Sequence, residues 1–196
     1  MNLLITGGTT FWGSYGINKL EAERYLTDNV PGAYILRPPY FYGQYDNLYR
    51  EAFAFDCAML GRPVYIPRDG EMRLQFFYVF DLCRFIEILL EKHPSDRVFN
   101  VGNPDTVSVR EWVELCYRAA GRKAELRSVD KPVPQREYFP FYDYEYVLDV
   151  SKQTELMSET VPLERGLFGE FEWYKLHPES VYRRRPYMEF IDKNLR

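Results

Sequence analysis

Histidine and cysteine are scarce in this chain: two His and three Cys among 196 residues. His93 and His177 lie far apart, and Cys57, Cys83 and Cys116 form no Cys-x-x-Cys pair. The spacings of a zinc site or a disulfide framework are therefore missing, and no metal is expected. Cys83 and Cys116 fall inside apolar helical runs and are expected as buried, reduced thiols, which suits the cytoplasm. No apolar run reaches the roughly 18 residues of a membrane span. The apolar stretch near the start is too short for a signal peptide and lacks a basic flank and a cleavage site. Neither a membrane location nor a secretory route is expected. Basic charge is not in excess either. Lys and Arg number 25 against 29 Asp and Glu, a formal charge of −4, so electrostatics give no support to a nucleic-acid partner. The Arg183-Arg184-Arg185 run stands among acidic neighbours and reads as a solvated stretch.

What the chain has in quantity is apolar and aromatic surface. Hydrophobic residues make up 46%, with 17 Tyr and 14 Phe, enough for a well-packed soluble domain. A stacking surface for a sugar or base is the other use of so many rings. Strand and helix signals alternate, which predicts an α/β sheet protein. Strands are expected at 2–6, 33–37, 63–66, 74–79, 97–101 and near 124–128. Helices are expected at 15–27, 47–60, 80–92, 108–120 and 164–175. Leu82, Phe85, Ile86, Leu89 and Leu90 have the spacing of an amphipathic helix laid on a sheet. Ser108 and Glu111 form a capping box, and Gly121 is placed to close that helix. The stretch 129–147, with Pro132, Pro134 and Pro140 among six Tyr and Phe, predicts an ordered aromatic loop packed on the body. A lid over a ligand is its other reading.

Two motifs carry chemistry. The apolar run 2–6 leads into Gly7-Gly8-Thr9-Thr10, where glycines permit a tight turn and let backbone N–H groups approach a phosphate at a helix N-terminus. An ordinary strand–helix turn has the same appearance. Tyr15 and Lys19 then stand four apart on one helix face. A neighbouring ammonium favours the phenolate, so such a tyrosine can exchange protons near neutral pH. An exposed helix with a surface lysine is the alternative.

Further along come Leu36-Arg37-Pro38-Pro39-Tyr40-Phe41-Tyr42-Gly43, Gly61-Arg62-Pro63, Asp69-Gly70, Gln75-Phe76-Phe77-Tyr78-Val79-Phe80-Asp81-Leu82, Phe99-Asn100-Val101-Gly102 and Leu148-Asp149-Val150-Ser151-Lys152. In this order, from Tyr15 to about Lys152, the series resembles the extended short-chain dehydrogenase/reductases, the NAD-dependent epimerase/dehydratase family. The resemblance implies a Rossmann domain holding NAD or NADP and a smaller domain holding a sugar or nucleotide sugar, which is transiently oxidised by hydride transfer. It implies Tyr15 as catalytic acid/base and Lys19 as its partner and ribose ligand. Gly7, Gly8, Thr9 and Thr10 would hold the pyrophosphate, and Pro38 and Pro39 would flank the nicotinamide. Tyr42, Arg73 and Gln75 would face the substrate. Relatives commonly pair through the Tyr-x-x-x-Lys helix, so a homo-oligomer is a further implication.

The spacing departs from the family at one place. Only a few residues separate the glycine turn from Tyr15, where the family has most of a nucleotide domain. Strands two to five of that domain are missing, with a seam near 10–12, and the upstream Ser or Thr of the catalytic set goes with them. Ser14, next to Tyr15, is no replacement. Asp28 stands near the distance of the ribose-binding acid, but in a helix-to-strand loop. Leu74 stands where relatives carry a basic residue. The expectation is a truncated Rossmann-like parallel sheet over 1–60, interleaved with a substrate-domain portion over 61–196. The corresponding function is an epimerase/dehydratase-like oxidoreductase impaired by its shortening. The alternative is a non-catalytic binding or oligomerisation module of the same fold. If the short spacing is original, 2–6, 15–27 and 33–37 form one βαβ unit and Arg37 could meet the 2′-phosphate of NADP.

Overall fold

The structure is a computed structural model that describes residues 3–5, 14–183 and 185–196. Its elements in chain order are β1 (Leu3–Ile5), α1 (Ser14–Asn29), β2 (Tyr34–Arg37), β3 (Tyr40–Tyr42), α2 (Glu51–Met59), β4 (Val64–Pro67), β5 (Arg73–Tyr78), α3 (Val79–Lys92), β6 (Val98–Asn100), β7 (Thr106–Ser108), α4 (Val109–Ala119), β8 (Leu126–Val129), α5 (Ser151–Leu156), α6 (Leu163–Leu176) and α7 (Tyr187–Asn194). Each strand and helix expected from the periodicity is present with shifted ends. The short β3, β7 and α5 carry too few residues to show a period, and α7 is not among the expected helices. Among the described residues no helix is long and apolar enough to cross a membrane.

The chain divides into two units that interleave along the sequence. The first comprises Met1–Phe41, Gln75–Asp105 and Val147–Val161. Its sheet has the order β1-β2-β6, all parallel. Leu3 pairs with Tyr34 and Ile5 with Leu36, while Ile35 pairs with Val98 and Arg37 with Asn100. Parallel neighbours need a crossover, and α1 supplies it between β1 and β2. Tyr34, Ile35 and Leu36 are consecutive and all buried, the continuous apolar run of a strand covered on both faces. Leu82, Phe85 and Leu89 of α3 join Tyr34, Leu36, Phe77, Phe99, Val101 and Met157 in one core cluster.

The α3 stripe is narrower than expected. Leu90 is 46% exposed, and Cys83, expected as a buried thiol, is exposed. At about 100° per residue these two positions rotate to the flank of the face centred on Leu82, Phe85 and Leu89. Cys57 and Cys116 are the buried thiols.

The second unit comprises Tyr42–Leu74, Thr106–Tyr146 and Pro162–Arg196. β4 and β8 pair in parallel, Val64 with Leu126 through Pro67 with Val129. Helices α2, α4 and α6 pack together beside them. Val109, Trp112, Val113 and Cys116 bury one face of α4. Its capping box is formed: Glu111 N–H donates to Ser108 Oγ at 3.1 Å, and Ser108 N–H donates to Glu111 Oε2 at 2.6 Å. Gly121 follows in the left-handed region at φ +66°, as a C-terminal glycine should. The proline-rich stretch packs as an ordered loop. Phe139 and Phe141 meet the Trp112 ring edge-on, with centroids 5.9 and 4.9 Å away.

Candidate functional site

Ligands of open α/β sheets bind at the carboxyl ends of the strands. In the first unit β2 runs out into Pro38-Pro39 and β6 into Val101-Gly102-Asn103. The two exits are in contact. A Cβ on Gly102 would come within 3.2 Å of Pro39 Cγ and 3.3 Å of Gln75 Nε2, so any larger residue there would crowd both neighbours. Gly102 N–H donates to Gln153 Oε1 at 2.7 Å. Gly7, Gly8, Thr9 and Thr10 follow β1 in the sequence but lie outside the described residues, as does the side chain of Tyr15. The backbone of Tyr15 is helical, in the first turn of α1, and Lys19 is half-buried one turn later.

Glu23, one further turn along α1, is 3% exposed. It receives the Arg37 guanidinium in a forked contact, Nε reaching Oε1 at 3.2 Å and Oε2 at 3.0 Å while Nη2 also donates to Oε2. Arg37, at the end of β2, is therefore engaged by its own unit. Asp28, expected in a loop, is an exposed residue of the last turn of α1.

Gln75 is buried with both amide atoms engaged. Nε2 donates to the carbonyls of Asn103 at 2.8 Å and Leu148 at 3.2 Å, and Oε1 accepts Leu148 N–H at 2.8 Å. Asp81, fully buried at the start of α3, accepts Val161 N–H at 2.7 Å and Arg84 Nη1 at 2.9 Å. Together with Gln153 and Asn103, these side chains tie the late segment 147–161 to the sheet. Sequence reasoning missed Glu23, Asp81 and Gln153. The available signal was a polar residue on the apolar side of a helix.

In the second unit Tyr42 is 1% exposed, and a Cβ on Gly166 would stand only 2.3 Å from its hydroxyl. Arg73 is held by the start of α4: Nε donates to Thr106 Oγ1 at 3.1 Å, Nη1 to Glu111 Oε2 at 3.2 Å, and Nη2 to the Thr106 carbonyl. The Ser108 backbone N–H first, and Arg73 after it, hold the Glu111 carboxyl below its ordinary range. A cleft of about 590 Å³ opens at the carboxyl ends of β4 and β8, lined by Pro67, Arg68, Lys131, Arg136, Tyr142 and Asp143 among others. Arg136 lies 4.7 Å over the Tyr142 ring, which stacks on Tyr144, and Arg68 pairs with Asp143 at 2.7 Å. The predicted residues are shared between the two units. Pro38, Pro39, Lys19 and Gln75 belong to the first unit, Tyr42 and Arg73 to the second.

The β1–α1–β2 crossover continued by β6 is a Rossmann-like arrangement of parallel strands. Residues 13–102, just under half of the chain, match the model of the NAD dependent epimerase/dehydratase family, and over this segment the chain is similar to that family. It is 30% identical over 119 residues to a dTDP-glucose 4,6-dehydratase of Streptomyces niveus, a match covering 60% of this chain and 34% of that protein. The fold is similar to a dTDP-glucose 4,6-dehydratase from Bacillus anthracis solved in complex with NAD: TM-score 0.69, 18% identity, 91% of this chain and 63% of the other. It is also similar to a UDP-glucose 4-epimerase from Thermotoga maritima solved with UDP-glucose: TM-score 0.66, 22% identity, 90% and 63%. The chain therefore spans about a third of the length of the Streptomyces protein and under two thirds of the solved chains.

Proposed function

We propose that this chain is an NAD-dependent oxidoreductase of the epimerase/dehydratase type, acting on a nucleotide sugar by transient hydride transfer. The observation that carries the reading is the carboxyl edge of β2 and β6, where Pro39 and Gly102 meet so closely that an added Cβ would lie 3.2 Å from the Pro39 ring. NAD, when bound, supplies the hydride acceptor. Pro38 and Pro39 would border its nicotinamide, Lys19 its ribose, and Gly7 to Thr10 its pyrophosphate. Tyr15 would move a proton at the sugar hydroxyl, with the Lys19 ammonium favouring its phenolate. What supports NAD over NADP is the forked contact of Arg37 with Glu23, which occupies the cation that a 2′-phosphate would need. The cleft at β4 and β8 is of a size to take the nucleotide part of the substrate. Exposed Ile17, Leu20 and Tyr25 on α1 support a homo-oligomer through that helix.

A second reading, a non-catalytic module of the same fold, is favoured by a different observation. Tyr42, Arg73 and Gln75, the three residues expected at the substrate, are all engaged in packing or hydrogen bonding within their own units. Titration with NADH and NADPH, followed by energy transfer from the tryptophans, separates the two. The enzyme reading expects saturable micromolar binding of NADH, weaker binding of NADPH, and a Tyr15→Phe variant that binds but does not turn over a nucleotide sugar. No binding at millimolar cofactor would leave the non-catalytic module.

A further inference from the structure

The second unit buries more negative charge than it neutralises. Glu51 begins α2 and is 0% exposed; Glu170, within α6, is 5% exposed. With Asp46 from the preceding turn, one oxygen of each carboxylate lies within 4.8 Å of the other two. Among the described residues, Arg50 is the guanidinium that pairs with this cluster. Arg50 Nη2 stands 2.8 Å from Asp46 Oδ2, and its Nε stands 3.5 Å from Glu51 Oε2. Glu170 Oε2 accepts Gly43 N–H at 3.1 Å. From α4 the Trp112 indole and the buried Cys116 thiol face this cluster, the indole toward Glu51 and the thiol toward both glutamates. The Tyr42 phenol packs on Gly166, one turn before Glu170. Neither Glu51 oxygen has a partner at normal hydrogen-bond geometry.

Two buried carboxylates and a partly buried third around one cation cannot all stay ionised, because each added anion is both desolvated and repelled. We propose that Glu170 keeps its proton at neutral pH and shares it with Glu51, so that the packing of α2 and α6 is a pH-sensitive joint that loosens as pH rises. Arg50 already fills the side between Asp46 and Glu51, which favours a proton over a metal ion as the missing positive charge. Burial raises both glutamates first of all; Glu51 and Asp46 add to the effect on Glu170, and Arg50 opposes it at both. Folded-state values above the unfolded range of about 4.3 mean that the stabilisation is complete below that range. It is lost as pH climbs through the raised values.

The test is urea unfolding of the full chain, followed by tryptophan fluorescence, from mildly acidic to mildly alkaline pH. The unfolding constant should rise by up to about tenfold per pH unit for each proton released. Glu170→Gln keeps an acceptor for Gly43 and a donor toward Glu51. It should flatten that dependence and exceed the parent in stability at alkaline pH. An unchanged slope in Glu170→Gln would overturn the proposal. Infrared spectroscopy of the parent gives a check that needs no variant: a protonated-carboxyl stretch persisting at neutral pH supports the shared proton, and its absence sinks it. Millimolar Mg²⁺ or Ca²⁺ should leave the alkaline stability unchanged. A gain in the parent that Glu170→Gln lacks would make the missing charge a metal ion and refute the proton.

Discussion

Gly102 and Gly166 are glycines for want of space, and their neighbours differ in how far they can give. At Gly102 an added methyl meets the ring of Pro39 and the amide of Gln75 at 3.2 to 3.3 Å, and Gln75 is pinned by three hydrogen bonds. At Gly166 it would meet the buried Tyr42 ring and hydroxyl at 2.3 to 2.7 Å. Both alanine variants should destabilise by overpacking, Gly102→Ala by about 1 kcal/mol and Gly166→Ala by about 3 kcal/mol. Urea midpoints of the two variants check that order. Both glycines were visible in the sequence, but only Gly102 stood in a recognisable motif. Gly166 looks like an unfavourable residue inside a helix, because the ring that requires it is more than a hundred residues away along the chain.

At the scale of the element, α4 was the most legible part of the molecule. Its cap, its apolar face and its closing glycine are all local, so propensity and packing agree. Ser108→Ala should cost about 1 kcal/mol. Glu111, held below the ordinary carboxylate range by Ser108 and Arg73, stabilises above that range. The contribution is lost as pH falls through its folded-state value. Glu111→Gln should therefore lose the acid-side part of the pH dependence while the alkaline side is unchanged, as pH-dependent thermal unfolding would show. α3 was half legible. Its period marked a helix on a sheet, yet Cys83 and Leu90 face solvent because the width of the buried stripe is set by what packs against it. β3, β7 and α5 carried no signal, since segments of three to six residues are held by their partners.

Across the whole molecule, the two units alternate along the chain, so neighbours in sequence serve different cores. If the carboxyl edge of β2 and β6 holds the cofactor, NADH should slow amide exchange at 34–39 and 98–103 and leave 109–119 as it was. Hydrogen-exchange mass spectrometry of the full chain reads this directly, and uniform or absent protection would count against that edge. The sequence alone determined the α/β class, the long helices, the main strands and the family resemblance, because hydrophobic period and motif order survive in one dimension. Only the tertiary structure decided that Arg37 belongs to Glu23, that Gln75 and Arg73 spend their donors on the scaffold, and that Glu51 and Glu170 come together with Asp46 around Arg50. The partners in those contacts are mostly far apart in sequence. Burial then fixes what each charge or amide must do, and no local pattern encodes burial for a polar side chain.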